Sequence, residues 1–174
     1  MLLLSISLAA SACGADINSL ENFCFALRNF DFEKAAGFVD DAEGYFAKTM
    51  TLAKGLDTEK AVIAKDIFSN MSFSDFKEND GAYTLTVKYV DFKKLILAVE
   101  SHINTGASAS DVLREMTESG RIGKQFTVKQ SGVPVMLTKN GKTALVPLGR
   151  AGVNAEFTAM LGIDTFLEWY ILQM

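Results

Sequence analysis

Over residues 82–91, AYTLTVKYVD, the apolar side chains recur every second residue, whereas on either side of this stretch they recur every three or four. Tyr83, Leu85, Val87 and Tyr89 fall on one face, and Thr84, Thr86 and Lys88 on the other. That alternation predicts a half-buried antiparallel strand, because successive side chains of a strand point to opposite sides. The helical spacing on both sides predicts amphipathic helices. Strands grouped in the middle and helices grouped at the ends imply an α+β domain. The expected architecture has N-terminal helices packed on a strongly curved antiparallel sheet of about four strands, a common sheet size. A helical insertion divides the strands, and a helix closes the chain.

Local signals place the elements. Ile17, Leu20, Cys24 and Leu27 share a helical face, and Asp31 is a candidate cap for the helix FEKAAGFV. Tyr45, Phe46 and Met50 lead to a stop at Gly55, and Asp57 or Thr58 caps a helix whose buried face holds Ile63, Ile67 and Met71. Phe73 and Phe76 mark a strand that turns at Asn79-Asp80-Gly81 into the strand at 82–91. Asp91 caps a helix bearing Leu95, Ile96, Val99 and Ile103, which Thr105-Gly106-Ala107 interrupts. Ser108 and Asp111 resemble a capping box ahead of Val112, Leu113 and Met116. Next, Asn140-Gly141 predicts a hairpin joining 126–138 to 143–148. Ile163, Phe166, Leu167, Tyr170, Ile171 and Met174 form the stripe of the final helix. Trp169 and Leu172 lie off that stripe and are candidates for an interaction face with a second copy or another protein.

The N-terminus reads as an address. Residues 1–12, MLLLSISLAASA, carry no charge and precede Cys13. This run is shorter than the about 20 residues a membrane-crossing helix needs. It suits the roughly 7–15-residue apolar segment of a secretory signal. Ala10 and Ala12 supply the small side chains of a cleavage site, and Ala10-Ser11-Ala12-Cys13 resembles a bacterial lipobox, whose cysteine is acylated. A basic segment is missing ahead of the run, which leaves open a start upstream of Met1 or a trimmed N-terminus. The expected organisation is a signal peptide at 1–12 and one domain at 13–174, within the usual domain size. Acylation of Cys13 leaves Cys24 alone; without it, a Cys13–Cys24 bridge is an alternative in an oxidising compartment. Cys24 itself reads as a small core residue.

The order of elements is similar to that of the nuclear transport factor 2-like superfamily, the cystatin-like cone, and within it to small bacterial lipoproteins of unknown role. The segments that carry the resemblance are FALRNFDFEKAAGFVDD (25–41), YTLTVKYVDFKKLI (83–96), VPVMLTKNGKTALVP (133–147) and NAEFTAMLG (154–162). The resemblance implies a curved sheet wrapped around a long helix, with a cavity at the open end where members of the superfamily place ligands or catalytic acids. Thr143 and Ala144 stand where many members carry tryptophan, and no catalytic set of the enzyme members maps onto this chain.

Several chemistries are excluded. With one histidine, His102, a single chain cannot build a two-histidine site, and no cofactor or metal is expected. Gly120-Arg121-Ile122-Gly123-Lys124 has the wrong spacing for a phosphate loop, and there is no G-x-G, G-x-S-x-G, H-E-x-x-H or C-x-x-C. A net charge of −4 and a pI near 5.0 argue against nucleic acid as a partner. Asp40-Asp41-Glu43 reads as a solvated corner rather than a calcium site.

Two classes of function remain, and the first has an untethered, secreted variant that differs only at Cys13. One is a non-catalytic binding or protein-interaction domain held outside the cytoplasm by lipidated Cys13, with multiple acyl chains because one anchors weakly. Its pocket would be lined by Tyr83, Leu85, Val87 and Tyr89 and take a small apolar ligand. The other is an enzyme that performs acid–base chemistry on a small molecule with Asp91, Tyr89 and His102, provided that these converge.

Overall fold

The structure, a computed structural model, describes residues 10–79, 82–103, 106–141 and 143–173, with side chains from residue 16 onward except at residue 79. The expected turn residues Asp80 and Gly81, the break at Thr105, Met174 at the end of the final stripe, and residues 1–9 of the apolar leader lie outside the described residues. The fold is a mixture of helices and two three-stranded sheets, so the α+β class holds.

Helix α1 (Ala10–Arg28) buries Leu20, Phe23, Cys24 and Leu27, whose spacing puts them on one side. The chain turns out of α1 at Phe30, which adopts a left-handed φ of 59°. Phe30 N–H donates to the Leu27 carbonyl at 2.9 Å and Asp31 N–H donates to the Ala26 carbonyl at 2.9 Å, closing the helix end. Glycine usually takes this position. Here the Phe30 ring packs edge-on against Phe32 and Phe68 at 4.9 and 5.0 Å, which offsets the backbone cost.

Short polar side chains start the following helices. Asp31 caps α2 (Phe32–Ala36), accepting from Lys34 N–H at 3.0 Å. After β1 (Val39–Asp40), the Asp41 carboxylate accepts from Phe46 and Ala47 N–H at 2.7 and 2.8 Å, capping α3 (Tyr45–Lys54). Asp57 does the same for α4 (Thr58–Phe68) through Lys60 N–H at 2.8 Å. Strands β2 (Ser72–Asn79) and β3 (Ala82–Val90) then pair antiparallel. Between β3 and β4 (Thr127–Val135) come α5 (Phe92–Ile103), α6 (Ala109–Glu118) and α7 (Arg121–Gln125), the expected helical insertion. The chain ends with β5 (Thr138–Asn140), β6 (Thr143–Pro147), α8 (Ala155–Leu161) and α9 (Ile163–Leu172).

The strands divide differently from the expected single sheet of about four. One sheet has the order β2-β3-β4 and is antiparallel throughout, with Leu85 opposite Val133 and Tyr83 opposite Val135. The other has the order β1-β6-β5: β5 and β6 form a hairpin, and β1 runs parallel to β6 with Val39 opposite Val146. The expected long hairpin from 126 to 148 is therefore cut short at Met136, and its first strand belongs to the other sheet.

Asn154 supplies the physical reason for the division. It is buried, its Oδ1 accepts from Met136 N–H at 2.8 Å, and its Nδ2 donates to the Met136 and Pro147 carbonyls at 2.8 and 2.9 Å. The backbone polar groups that a continued ladder would satisfy are taken by this side chain instead. Pro134, which lacks an N–H, sits on β4, an edge strand of its sheet, where proline is tolerated.

Helix α1 packs against both β2 and β6, and α8 lies on β3 and β4. A run of touching rings joins the helical layer: Phe68 meets Phe92 at 5.6 Å, Phe92 stacks on Phe166 at 4.7 Å, and Phe166 stacks on Tyr170 at 5.4 Å. Cys24 is free and buried. Cys13 lies on the same helix eleven residues earlier, about 16 Å away by helical rise, which excludes a bridge between them. Among the described residues no helix is long and apolar enough to cross a membrane.

Candidate ligand-binding groove

The expected pocket residues separate. Tyr83, Leu85 and Val87 are buried in the core, on the strand between β2 and β4. Helix α8 packs against β3 and β4 nearby. Tyr89, two residues further on, is half-buried and does reach a cavity.

That cavity, about 300 Å³, lies where the end of β3 enters α5 and faces α8 and the start of α9. Tyr89, Asp91 and Lys93 line it from the β3–α5 junction, Glu156 and Met160 from α8, and Thr165 from α9. A second cavity of about 190 Å³ shares Lys93, Ala159, Gly162 and Thr165 with it, so the two form one groove. Gly162 makes the α8–α9 corner. Its φ of 54° is left-handed, and a Cβ there would approach the Phe92 ring to 3.2 Å.

The second cavity holds a linked polar set. Asp164 is buried, with Oδ1 accepting from the Tyr45 hydroxyl at 3.0 Å and Oδ2 accepting from Arg150 Nε and Nη2 at 3.1 and 2.5 Å. Burial raises the Asp164 carboxyl, but the hydrogen bonds from Arg150 and Tyr45 outweigh it and hold the group below the usual carboxylate value. Tyr45 is pushed far above the ordinary phenol value by burial, then by the adjacent Asp164 charge and hydrogen bond. The carboxylate is thus ionised and already satisfied near neutral pH, while the Arg150 side chain is 69% exposed at the groove wall. Lys93, also exposed, has no ion-pair partner among the described residues. Lys93 and Arg150 together with Asp91 and Glu156 along one groove suit a small polar or zwitterionic ligand better than an apolar one.

The acid–base candidates do not converge. Asp91 caps α5, with Oδ1 accepting from Lys94 N–H at 3.0 Å, and it shares the groove with Tyr89. His102 lies eleven residues further along α5, about 16 Å by helical rise. It is exposed, with Nδ1 2.7 Å from the Ala98 carbonyl and 3.2 Å from Ser101 Oγ. The required triad geometry is absent, because the two ends of one helix cannot meet.

Other expected residues have distinct settings. Trp169 is half-buried, packs on Phe166 and Tyr170, and donates from Nε1 to Glu100 Oε1 at 3.1 Å. Leu172 is 80% exposed. Cys13 belongs to α1, and its thiol lies outside the described residues. At the acidic corner, Asp40 accepts from Thr138 Oγ1 at 2.8 Å and Asp41 caps α3, so these carboxylates serve the fold. Among the described residues no three metal-ligating side chains cluster. The Cys24 thiol is raised by burial and by nearby Glu21.

Sequence reasoning missed the Tyr45–Asp164–Arg150 set. Tyr45 and Asp164 are 119 residues apart, and Asp164 lies in an ordinary helix start. The one available signal was an aspartate inside the first turn of an otherwise apolar helix. No protein-family model, curated protein or solved structure matches this chain.

Proposed function

We propose that this chain is an extracytoplasmic lipoprotein: a signal segment at 1–12 is removed, Cys13 is acylated, and the domain at 13–174 binds rather than transforms its ligand. The observation that carries the reading is the uncharged run ending in Ala10-Ser11-Ala12-Cys13 immediately ahead of the anchored part of α1. Asp16, three residues after Cys13, is buried and paired with Lys139 at 2.8 Å. Cleavage before Cys13 leaves the buried residues Leu20, Phe23, Cys24 and Leu27 of α1 in place.

Binding is favoured over catalysis because the groove's aspartates are engaged in capping or ion pairing, and His102 is remote from them. The groove offers Lys93 and Arg150 to a small polar ligand. Exposed Leu172 beside Trp169 offers a face for a second copy or a neighbouring protein. The likeness to cone-type lipoproteins rests on the order of helices, strands and insertion; the division of the strands into two sheets is its main departure.

Fractionation of cells producing the full-length chain tests the reading. The natural product should partition with membranes and resist extraction by high salt, and the Cys13→Ser variant should appear in the soluble extracytoplasmic fraction or remain unprocessed. Identical distribution together with identical processed mass of the two would overturn it.

A further inference from the structure

Away from this groove, α4 and α6 lie side by side and enclose a second depression of about 500 Å³. Buried Ile63 forms its floor, and Val62, 55% exposed, leaves apolar surface facing outward. The rim carries Glu59, Asp66 and Glu118 against a single cation, Arg114. That cation is already engaged, since its guanidinium is paired with both Glu59 and Asp111. Asp66 lies about 10 Å further along α4 by helical rise. Among the described residues neither Asp66 nor Glu118 has an ion-pair partner.

We propose that the α4–α6 groove docks a basic segment of a partner protein that carries one apolar anchor. The anchor covers Val62 and Ile63, and its flanking lysines or arginines meet Asp66 and Glu118. Charge decides the class of occupant. A second copy would bring the same carboxylates and a net charge of −4 against this face, and an acidic segment would be repelled. The groove shares no residue with the Arg150 site or with the tether, so this assignment stands independently of both.

A lysine-rich peptide with a single leucine tests it, titrated into the full chain held in uncharged detergent. The expected result is saturable binding that weakens as salt rises, with backbone amide shifts centred on α4 and α6. Asp66→Asn combined with Glu118→Gln should raise Kd about tenfold, a typical share for two partly exposed charge pairs, and Val62→Ser should raise it several-fold. These surface substitutions leave the core intact. Equal binding of a matched glutamate-rich peptide, unchanged affinity in the double variant, or shifts centred elsewhere would overturn the proposal. So would concentration-dependent self-association through α4 and α6 in the absence of peptide.

Discussion

The two sheets are held together by different forces. In β2-β3-β4, long neighbouring strands pair, and an apolar face of Tyr83, Leu85, Val87 and Val133 is buried under helices. In β1-β6-β5 the strands have two, five and three residues, and side chains from outside the sheet complete the hydrogen bonding. Asn154 secures both the chain entering it and the chain leaving it. The first sheet is stabilised by area, the second by a few directed bonds. Hydrophobic burial is distributed and tolerant, whereas a polar clasp fails when one atom is removed.

Substitutions separate the two regimes. Leu85→Ala should cost the most, about 3 kcal/mol, because it opens a cavity under the large sheet, and denaturant unfolding should show one cooperative transition at lower midpoint. Asn154→Ala should cost about 2–3 kcal/mol, as it leaves buried backbone groups of Met136 and Pro147 unsatisfied. Unlike the first variant, it should accelerate amide exchange selectively in β1, β5 and β6. Equal exchange in both sheets would erase the distinction.

The Asp164 set sharpens the comparison through pH. The folded carboxyl is depressed, so its contribution is present above the unfolded value of about 3.9 and is lost as pH falls below it. Tyr45 is raised, so its contribution is present below about 10 and is lost as pH rises above that. Asp164→Asn should flatten the acid limb of stability, measured by thermal unfolding from neutral pH down to pH about 3. An acid limb as steep as in the parent would assign it to other carboxylates. The smallest effect belongs to Lys139→Ala, at most about 1 kcal/mol, since its ion pair with Asp16 is largely exposed on the lysine side.

What the sequence made legible follows the same division. Asp31, Asp57, Asp91 and Ser108 cap helices where the pattern places them, because a cap is read within four residues. The β2–β3 pair and the short Asn140-Gly141 hairpin are local too. Strand β1 is not legible: the pattern puts Val39 at a helix end and Asp40 in a solvated corner, since two residues carry no period and their partner, β6, lies near the other end of the chain. The groove shows the same pattern. Tyr89 and Asp91 were visible as neighbours on one segment, while Tyr45, Arg150 and Asp164 come together only through the packing of α3 and α9. The alternation in 82–91 marks a buried face, but alternation cannot distinguish a face covered by protein from one covered by a ligand.

The tether is the claim on which the biological reading depends, and the intact mass of the chain purified from membranes of its natural host tests it most directly. A tethered lipoprotein gives a species that begins at Cys13 and carries the added mass of acyl chains, with that mass absent from the Cys13→Ser variant. A membrane-derived species that retains residues 1–12 and carries no lipid would contradict it.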